Sequence, residues 1–184
     1  MCSSDLSREP SAPGARRLGR YELLQMAGVG GFNYVWKARD LELGRVVAVK
    51  IPHERIADEA EMERFMREAR AAANLRHPGI VPIYEVARDG DVVFLVSEFI
   101  EGATLQECMS TANLTARAAV ELVAETAEAL DYAHAQGVVH RDVKPANIMY
   151  EPGADSVKVT DFGIARITDS SRTKTGMVLG TPSY

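Results

Sequence analysis

The amino-acid sequence predicts an α+β fold: a five-stranded antiparallel sheet carrying one helix, followed by a mostly helical part. Two observations carry this expectation. Between Tyr21 and Ser97, runs rich in β-branched and aromatic residues are separated by turn signals, with one stretch of helical period among them. Beyond Gly102 the helical period takes over, and its longest stretch has an apolar stripe.

Taken in order, YELLQMAG from Tyr21 reads as a strand running into glycines, and NYVWKARD from Asn33 as a second strand. Asp40 to Gly44 is a turn and RVVAVKI from Arg45 a third strand, which together suggest an antiparallel meander. From Asp58 to Leu75 the pattern is helical, with Met62, Phe65, Met66, Ala69 and Ala73 on one face. Asp58 and Glu61 form a capping pair, and His77-Pro78-Gly79 ends the helix. VPIYEVA and DVVFLVS, split by Asp89-Gly90, complete the strands. A short helical piece follows Glu101-Gly102. The long helix comes next, capped by Thr115, with Val120, Val123, Ala124, Ala127, Leu130 and Ala133 as its expected buried stripe and Gly137 as its end. A polar loop from His140, a strand pair (Ile148-Met149-Tyr150 and VKVT) and a Ser/Thr-rich loop close the chain.

Composition narrows the classes. With 46% hydrophobic and 26% charged residues, the 184-residue chain reads as an ordinary soluble globular protein, of a length that suits one domain or one small lobe plus part of another. A net charge of −5 gives no bulk attraction to nucleic acid or to an anionic membrane. Cys2 and Cys108 make neither a disulfide framework nor a metal-ligand spacing, which fits a reducing, cytoplasmic setting. His53, His77, His134 and His140 are scattered, so zinc is not expected. The longest strongly apolar run, Val92 to Val96, is far below the roughly 20 residues of a membrane span. Residues 1–19 are rich in Ser, Pro, Gly and Arg and are expected to be a disordered leader. The domain is then 20–184, with a smaller lobe at about 21–100 and a partial larger lobe at about 101–184.

The motifs carry more chemistry than the composition. GVGGFN, Gly28 to Asn33, supplies Gly28, Val29, Gly30 and Gly31 as backbone that can approach phosphates. A dinucleotide motif or a P-loop would open a helix, whereas these glycines run into the strand at Asn33. On its own the loop reads equally as a plain hairpin turn. Lys50 ends an apolar strand and calls for an anionic partner, because a buried unpaired charge is costly. Glu68 is in phase with the inner face of the first helix. Singly, each is as well explained as a snorkelling lysine and an ordinary helix carboxylate.

The loop His140-Arg141-Asp142-Val143-Lys144-Pro145-Ala146-Asn147 is far more specific, and Asp161-Phe162-Gly163 follows behind a short strand. Asp142 can accept a proton from a hydroxyl, and Asn147 and Asp161 offer oxygen ligands of the hard type that Mg²⁺ prefers. Phosphoryl transfer needs little covalent chemistry, so such positioning and charge neutralisation would suffice.

VAVK, HRDVKPAN and DFG, in this order, resemble the protein-kinase superfamily signature, over about Tyr21 to Tyr184. The resemblance implies a protein-kinase-like fold with ATP and Mg²⁺ as cofactors. It implies that Lys50 holds the α- and β-phosphates and pairs with Glu68, that Asp142 is the catalytic base, and that Asn147 and Asp161 ligate Mg²⁺. Val35 and Ala48 would cover the adenine, Glu98 to Ile100 would be the hinge that reads its edge, and the small Ser97 would control access behind it. Lys144 looks like the serine/threonine subtype, in which it steadies the γ-phosphate, so protein Ser/Thr hydroxyls are the implied acceptors. Asn33 departs from the third glycine of the pattern, although Asn tolerates positive φ best among other residues. MREARAAANLRHPGIVPIYEV and DFGIAR resemble the bacterial branch of the family. There, Thr173 and Thr175 sit at positions of autophosphorylation, and Arg141 beside Asp142 would receive the phosphate.

By the same resemblance the chain ends at Gly180-Thr181-Pro182-Ser183-Tyr184 inside the activation segment, before several helices of the larger lobe. The apolar stripe of the long helix would then be exposed. The alternative expectation is a fragment without catalysis, acting at most as a nucleotide-binding or interaction module.

Overall fold

Alternation along the strands puts a packed core on one face of a sheet and a cleft on the other. The computed structural model describes residues 16–30, 33–53, 58–111, 115–152 and 156–162. Its larger sheet contains β1 (Arg17–Leu18), β2 (Tyr21–Val29), β3 (Asn33–Asp40), β4 (Val46–Pro52), β5 (Ile83–Asp89) and β6 (Val92–Glu98). The spatial order is β1-β2-β3-β4-β6-β5, with every pairing antiparallel. Trp36, Ala38, Val47, Val49, Ile51, Phe94 and Val96 point to one face and form a buried cluster with Tyr21. The intervening Val35, Lys37, Ala48, Lys50 and Ser97 face the cleft. A period of two in the sequence thus becomes two surfaces with different chemistry.

The expected strands are present, but the sheet has six rather than five. Arg17 and Leu18 pair with Glu22 and Tyr21, so ordered structure begins within the stretch expected to be a disordered leader. Its Ser-, Pro-, Gly- and Arg-rich flank gave no sign of so short a strand. It is held by Tyr21, whose ring packs edge-on against Phe94 at 5.9 Å between centroids, and by the Gly19 N–H on Asp89 at 2.8 Å.

Helix α1 (Glu59–Ala73) starts where expected, with the Asp58 carboxylate accepting from the Glu61 N–H at 2.7 Å. Its buried side chains are Phe65, Ala69 and Ala72, and Phe65 packs on Val93 of β6. After the crossing segment 99–102 come β7 (Ala103–Thr104), α2 (Leu105–Thr111) and α3 (Ala116–Ala135). A second, three-stranded sheet, β7-β8-β9, is completed by β8 (Ile148–Glu151) and β9 (Ser156–Val159). Gly102 has to be glycine, because a Cβ there would lie 2.0 Å from the Tyr150 carbonyl oxygen.

The stripe expected on α3 divides: Ala133 is buried and Leu130 half-buried, whereas its first turns are exposed, in line with the expectation that the stripe is left uncovered. Thr115 caps the helix as anticipated, accepting from the Ala118 N–H at 3.2 Å, and Gly137 at φ +75° follows its end. The buried residues, however, are Leu122, Thr126, Ala129 and Ala133. Val120 and Val123 are 69% and 66% exposed, and Ala124 and Ala127 are exposed as well. This helix is apolar on two faces. Which one is covered depends on its partners: Leu122 joins Val157 and Ile148, while Ala129 and Ala133 join Ile80, Val159 and Phe162.

The two sheets are stitched together away from the crossing segment. Val81 N–H donates to the Val159 carbonyl at 2.9 Å and Val159 N–H to the Gly79 carbonyl at 2.8 Å, around a parallel bridge between Ile80 and Val159.

Candidate active site

Between the sheets lies a cleft of about 1210 Å³. Gly28, Val29, Gly30, Val35, Ala48 and Lys50 reach it from the larger sheet, with Ser97, Glu98 and Ile100 at its back. Asp142, Lys144, Asn147 and Asp161 reach it from below. Residues distant in sequence therefore line one cavity. Gly31, Thr173 and Thr175 lie outside the described residues. Asn33 lines the cleft at the start of β3, and its backbone carbonyl accepts from the Gly30 N–H at 2.9 Å, closing the glycine turn.

The loop below the cleft is fixed by its own side chains. Pro145–Asn147 forms one 3-10 turn, in which the Asn147 N–H donates to the Lys144 carbonyl at 2.9 Å. The Asn147 amide donates to the Asp142 carbonyl at 2.8 Å and to its carboxylate at 3.1 Å. Lys144 Nζ lies 2.7 Å from the same carboxylate oxygen of Asp142. Beneath them His140, 1% exposed, donates from Nε2 to the Thr160 carbonyl at 2.7 Å, since a carbonyl only accepts. Its Nδ1 then accepts from the Asp142 N–H at 3.3 Å, which defines a neutral tautomer. Burial pushes the His140 pKa below its ordinary value, against the opposing pull of the Thr160 bond and the nearby Asp161 and Asp142. Phe162 stacks on the imidazole at 4.8 Å, tying the loop to the residues after β9.

The expected pair between Lys50 and Glu68 is not formed. Lys50 Nζ donates to Asp161 Oδ1 at 2.5 Å and to Thr160 Oγ1 at 2.6 Å. Glu68 instead meets the Arg141 guanidinium at 3.3 Å, and its other oxygen is buried without a hydrogen-bond partner. Asp161, at φ 64°, is turned so that its carboxylate competes for the ammonium, and Arg141, at φ 69°, is turned toward α1. Spacing along the chain brings these four charges into one neighbourhood but does not rank the pairings among them.

Sequence reasoning also passed over groups that line or flank the cleft. Thr160 and Lys158 sat in a segment read only as a strand, and Met149 and Lys37 in patterns read only as β. The alternation of β3 was a usable signal for Lys37, since it shares a face with Val35.

Residues 21–184 match the protein kinase domain family. The chain belongs to the protein kinase family. This kinase is 42% identical over 174 residues to serine/threonine-protein kinase PknA of Mycobacterium tuberculosis, an alignment covering 90% of the chain and 40% of that protein. It is 44% identical over 174 residues to PknB of the same organism, covering 90% of the chain and 28% of PknB. It thus spans well under half the length of either relative. Among solved structures, the Mycobacterium tuberculosis PknI kinase domain is similar with a TM-score of 0.74 at 26% identity, over 87% of this chain and 69% of that one. The kinase is therefore of the serine/threonine family, with the protein-kinase fold. No helix among the described residues is long and apolar enough to cross a membrane.

Proposed function

We propose that this chain transfers the γ-phosphoryl group of ATP to serine or threonine hydroxyls of protein substrates. The observation that carries the reading is the shared cleft: Lys50 enters it from the upper sheet opposite Asp142, Asn147 and Asp161. The donor set fits the nucleotide and its metal. Asn147 commits its amide nitrogen to Asp142, so its oxygen is the atom to offer a hard cation beside the Asp161 carboxylate. Mg²⁺ held there would supply neutralisation of the phosphate charge.

The chain's own residues do the rest. Lys50 carries a positive charge on the cleft wall and is the group to hold the α- and β-phosphates. Gly28, Val29 and Gly30 line the cleft, and the two glycines leave the backbone free of side-chain bulk where it would approach them. Val35 and Ala48 cover the adenine, and Glu98 to Ile100 read its edge. Asp142 accepts the proton of the attacking hydroxyl, and Lys144, already on its carboxylate, faces the transferring phosphate. Glu68 has a buried acceptor oxygen without a partner, the atom that a Lys50–Glu68 pair would use once Lys50 leaves Asp161. Phosphorylation at Thr173 or Thr175 would give Arg141 an anion in exchange for Glu68.

The test is Mg·ATP binding to the 184-residue chain by calorimetry, with transfer to a mixed Ser/Thr peptide measured alongside. Lys50→Met is expected to lower Mg·ATP affinity at least tenfold. Asp142→Asn should keep binding and lower transfer by about a hundredfold or more. Transfer that survives in both variants would overturn the assigned roles. A second reading, a nucleotide-binding module without transfer, draws on the Lys50–Asp161 and Glu68–Arg141 pairing. It would be favoured by saturable binding with no transfer in the unaltered chain.

A further inference from the structure

The crossing segment between the sheets is held by lysines from both sides. Glu98 is the last residue of β6, and its backbone is fixed by its N–H on the Pro82 carbonyl at 3.0 Å. Its side chain leaves the larger sheet altogether. Lys158 Nζ, on β9 of the smaller sheet, lies 3.0 Å from Glu98 Oε2 and 3.7 Å from Glu151 Oε2 on β8. Lys158 is 18% exposed at its side chain, so this ion pair is more shielded than an ordinary surface bridge. On the opposite side, Lys37 of β3 sits 4.7 Å above the Phe99 ring and 3.1 Å from Glu101 Oε1.

These contacts obey the period of an extended chain. Phe99 and Glu101 turn one way to Lys37, and Glu98 turns the other way to Lys158. The segment is thus anchored through its side chains to each sheet separately, while Glu98, Phe99, Ile100 and Gly102 line the cleft. Lys158 makes no wall of that cleft itself, yet its cross-strand partner Met149 does.

We infer that Lys158 is a positioning residue for adenine recognition, acting through Glu98 to set the hinge backbone against the lower sheet. The inference rests on the reading of the cleft as an ATP site. Loss of Lys158 leaves the Glu98 carboxylate half-buried and unpaired, so the segment shifts toward solvent and the edge it presents to the base is displaced. The effect falls on the base rather than on the phosphates, which Lys50 would hold from β4.

The test compares adenosine and Mg·ATP binding to the 184-residue chain by calorimetry in Lys158→Met, Lys158→Arg, Glu98→Gln, the Lys158→Met/Glu98→Gln double variant and Lys50→Met. Lys158→Met is expected to weaken adenosine and Mg·ATP by the same factor, about three- to tenfold. Lys50→Met should weaken Mg·ATP alone. Lys158→Arg should restore affinity, and the double variant should be no worse than either single change. Amide exchange at 99–102 in the unliganded chain should quicken in Lys158→Met, which reports on hinge order without any ligand. An unaltered chain that binds neither compound would overturn the ATP-site reading and this inference with it. Normal adenosine affinity in Lys158→Met, in a chain that does bind, would overturn the inference alone. So would a lowered melting temperature with unchanged adenosine affinity, the signature of a merely structural role.

Discussion

His140 shows how much a single side chain decides. It is sealed under the loop that carries Asp142, and both ring nitrogens are committed, one as donor and one as acceptor. Its folded pKa lies below the ordinary 6.5, so in acid the unfolded chain takes up a proton before the folded chain does. Stability is therefore full above about pH 6.5 and falls as the pH drops from there toward the folded value. Urea melts between pH 7.5 and 5 should show this loss, and His140→Phe, which cannot titrate, should flatten it. A slope unchanged in the variant would place the acid sensitivity elsewhere. That His140 opens a polar loop was legible from its neighbours Arg141, Asp142 and Asn147, and the loop does line the cleft. Its tautomer was not, because that depends on the Thr160 carbonyl arriving from another strand. That Lys50 meets Asp161 rather than Glu68 in this structure has the same origin: charges were readable, but the order of competing partners goes with the backbone turns at Arg141 and Asp161.

Among the elements, α3 separates what a pattern can reveal from what it cannot. Its cap and its length followed from Thr115 and Gly137, both local features. The face it buries did not, since small and apolar residues recur on both sides and only contact with β9 chooses between them. Mutations distinguish the faces directly. Ala129 is fully buried, and a Cβ placed at Gly79 would approach its own Cβ to 3.1 Å. Ala129→Leu should cost about 1–3 kcal/mol by overpacking. Val123→Lys, on the exposed face, should stay within about 0.5 kcal/mol. Equal losses in chemical denaturation would show that both faces are covered in solution. The strands of the larger sheet were read well because their β-branched and aromatic runs are long and bounded by turn residues, even in β6, where five consecutive residues are buried. The two-residue β1 and β7 were missed because so short a strand has no period to detect.

In the molecule as a whole, two sheets behave as one through the small patch at Ile80 and Val159. The backbone bonds between 79–81 and Val159 join the upper sheet to the lower one, and Ile80 is 3% exposed at the centre. Unfolding of the two parts should therefore be coupled. Trp36, the single tryptophan, reports on the core of the larger sheet, and the far-ultraviolet signal is dominated by α1 and α3. The two denaturation curves should coincide, and Ile80→Ala should shift them together, by about 2–4 kcal/mol. Curves that separate in the unaltered chain would mean the sheets unfold independently.

The two-faced strands of the larger sheet also bear on how such a chain can change over time. Core packing and cleft lining are written in interleaved positions of the same short segments, so neither can be adjusted by moving the backbone frame. A one-residue insertion early in β4 would turn Lys50 toward the apolar cluster and bring a valine or isoleucine to the cleft wall. One genetic event would then take the ammonium off the cleft wall and bury it in the same stroke. Variation in these strands is thereby confined to point replacements, with insertions tolerated only at turns such as Gly90–Asp91, where no alternation has to be kept.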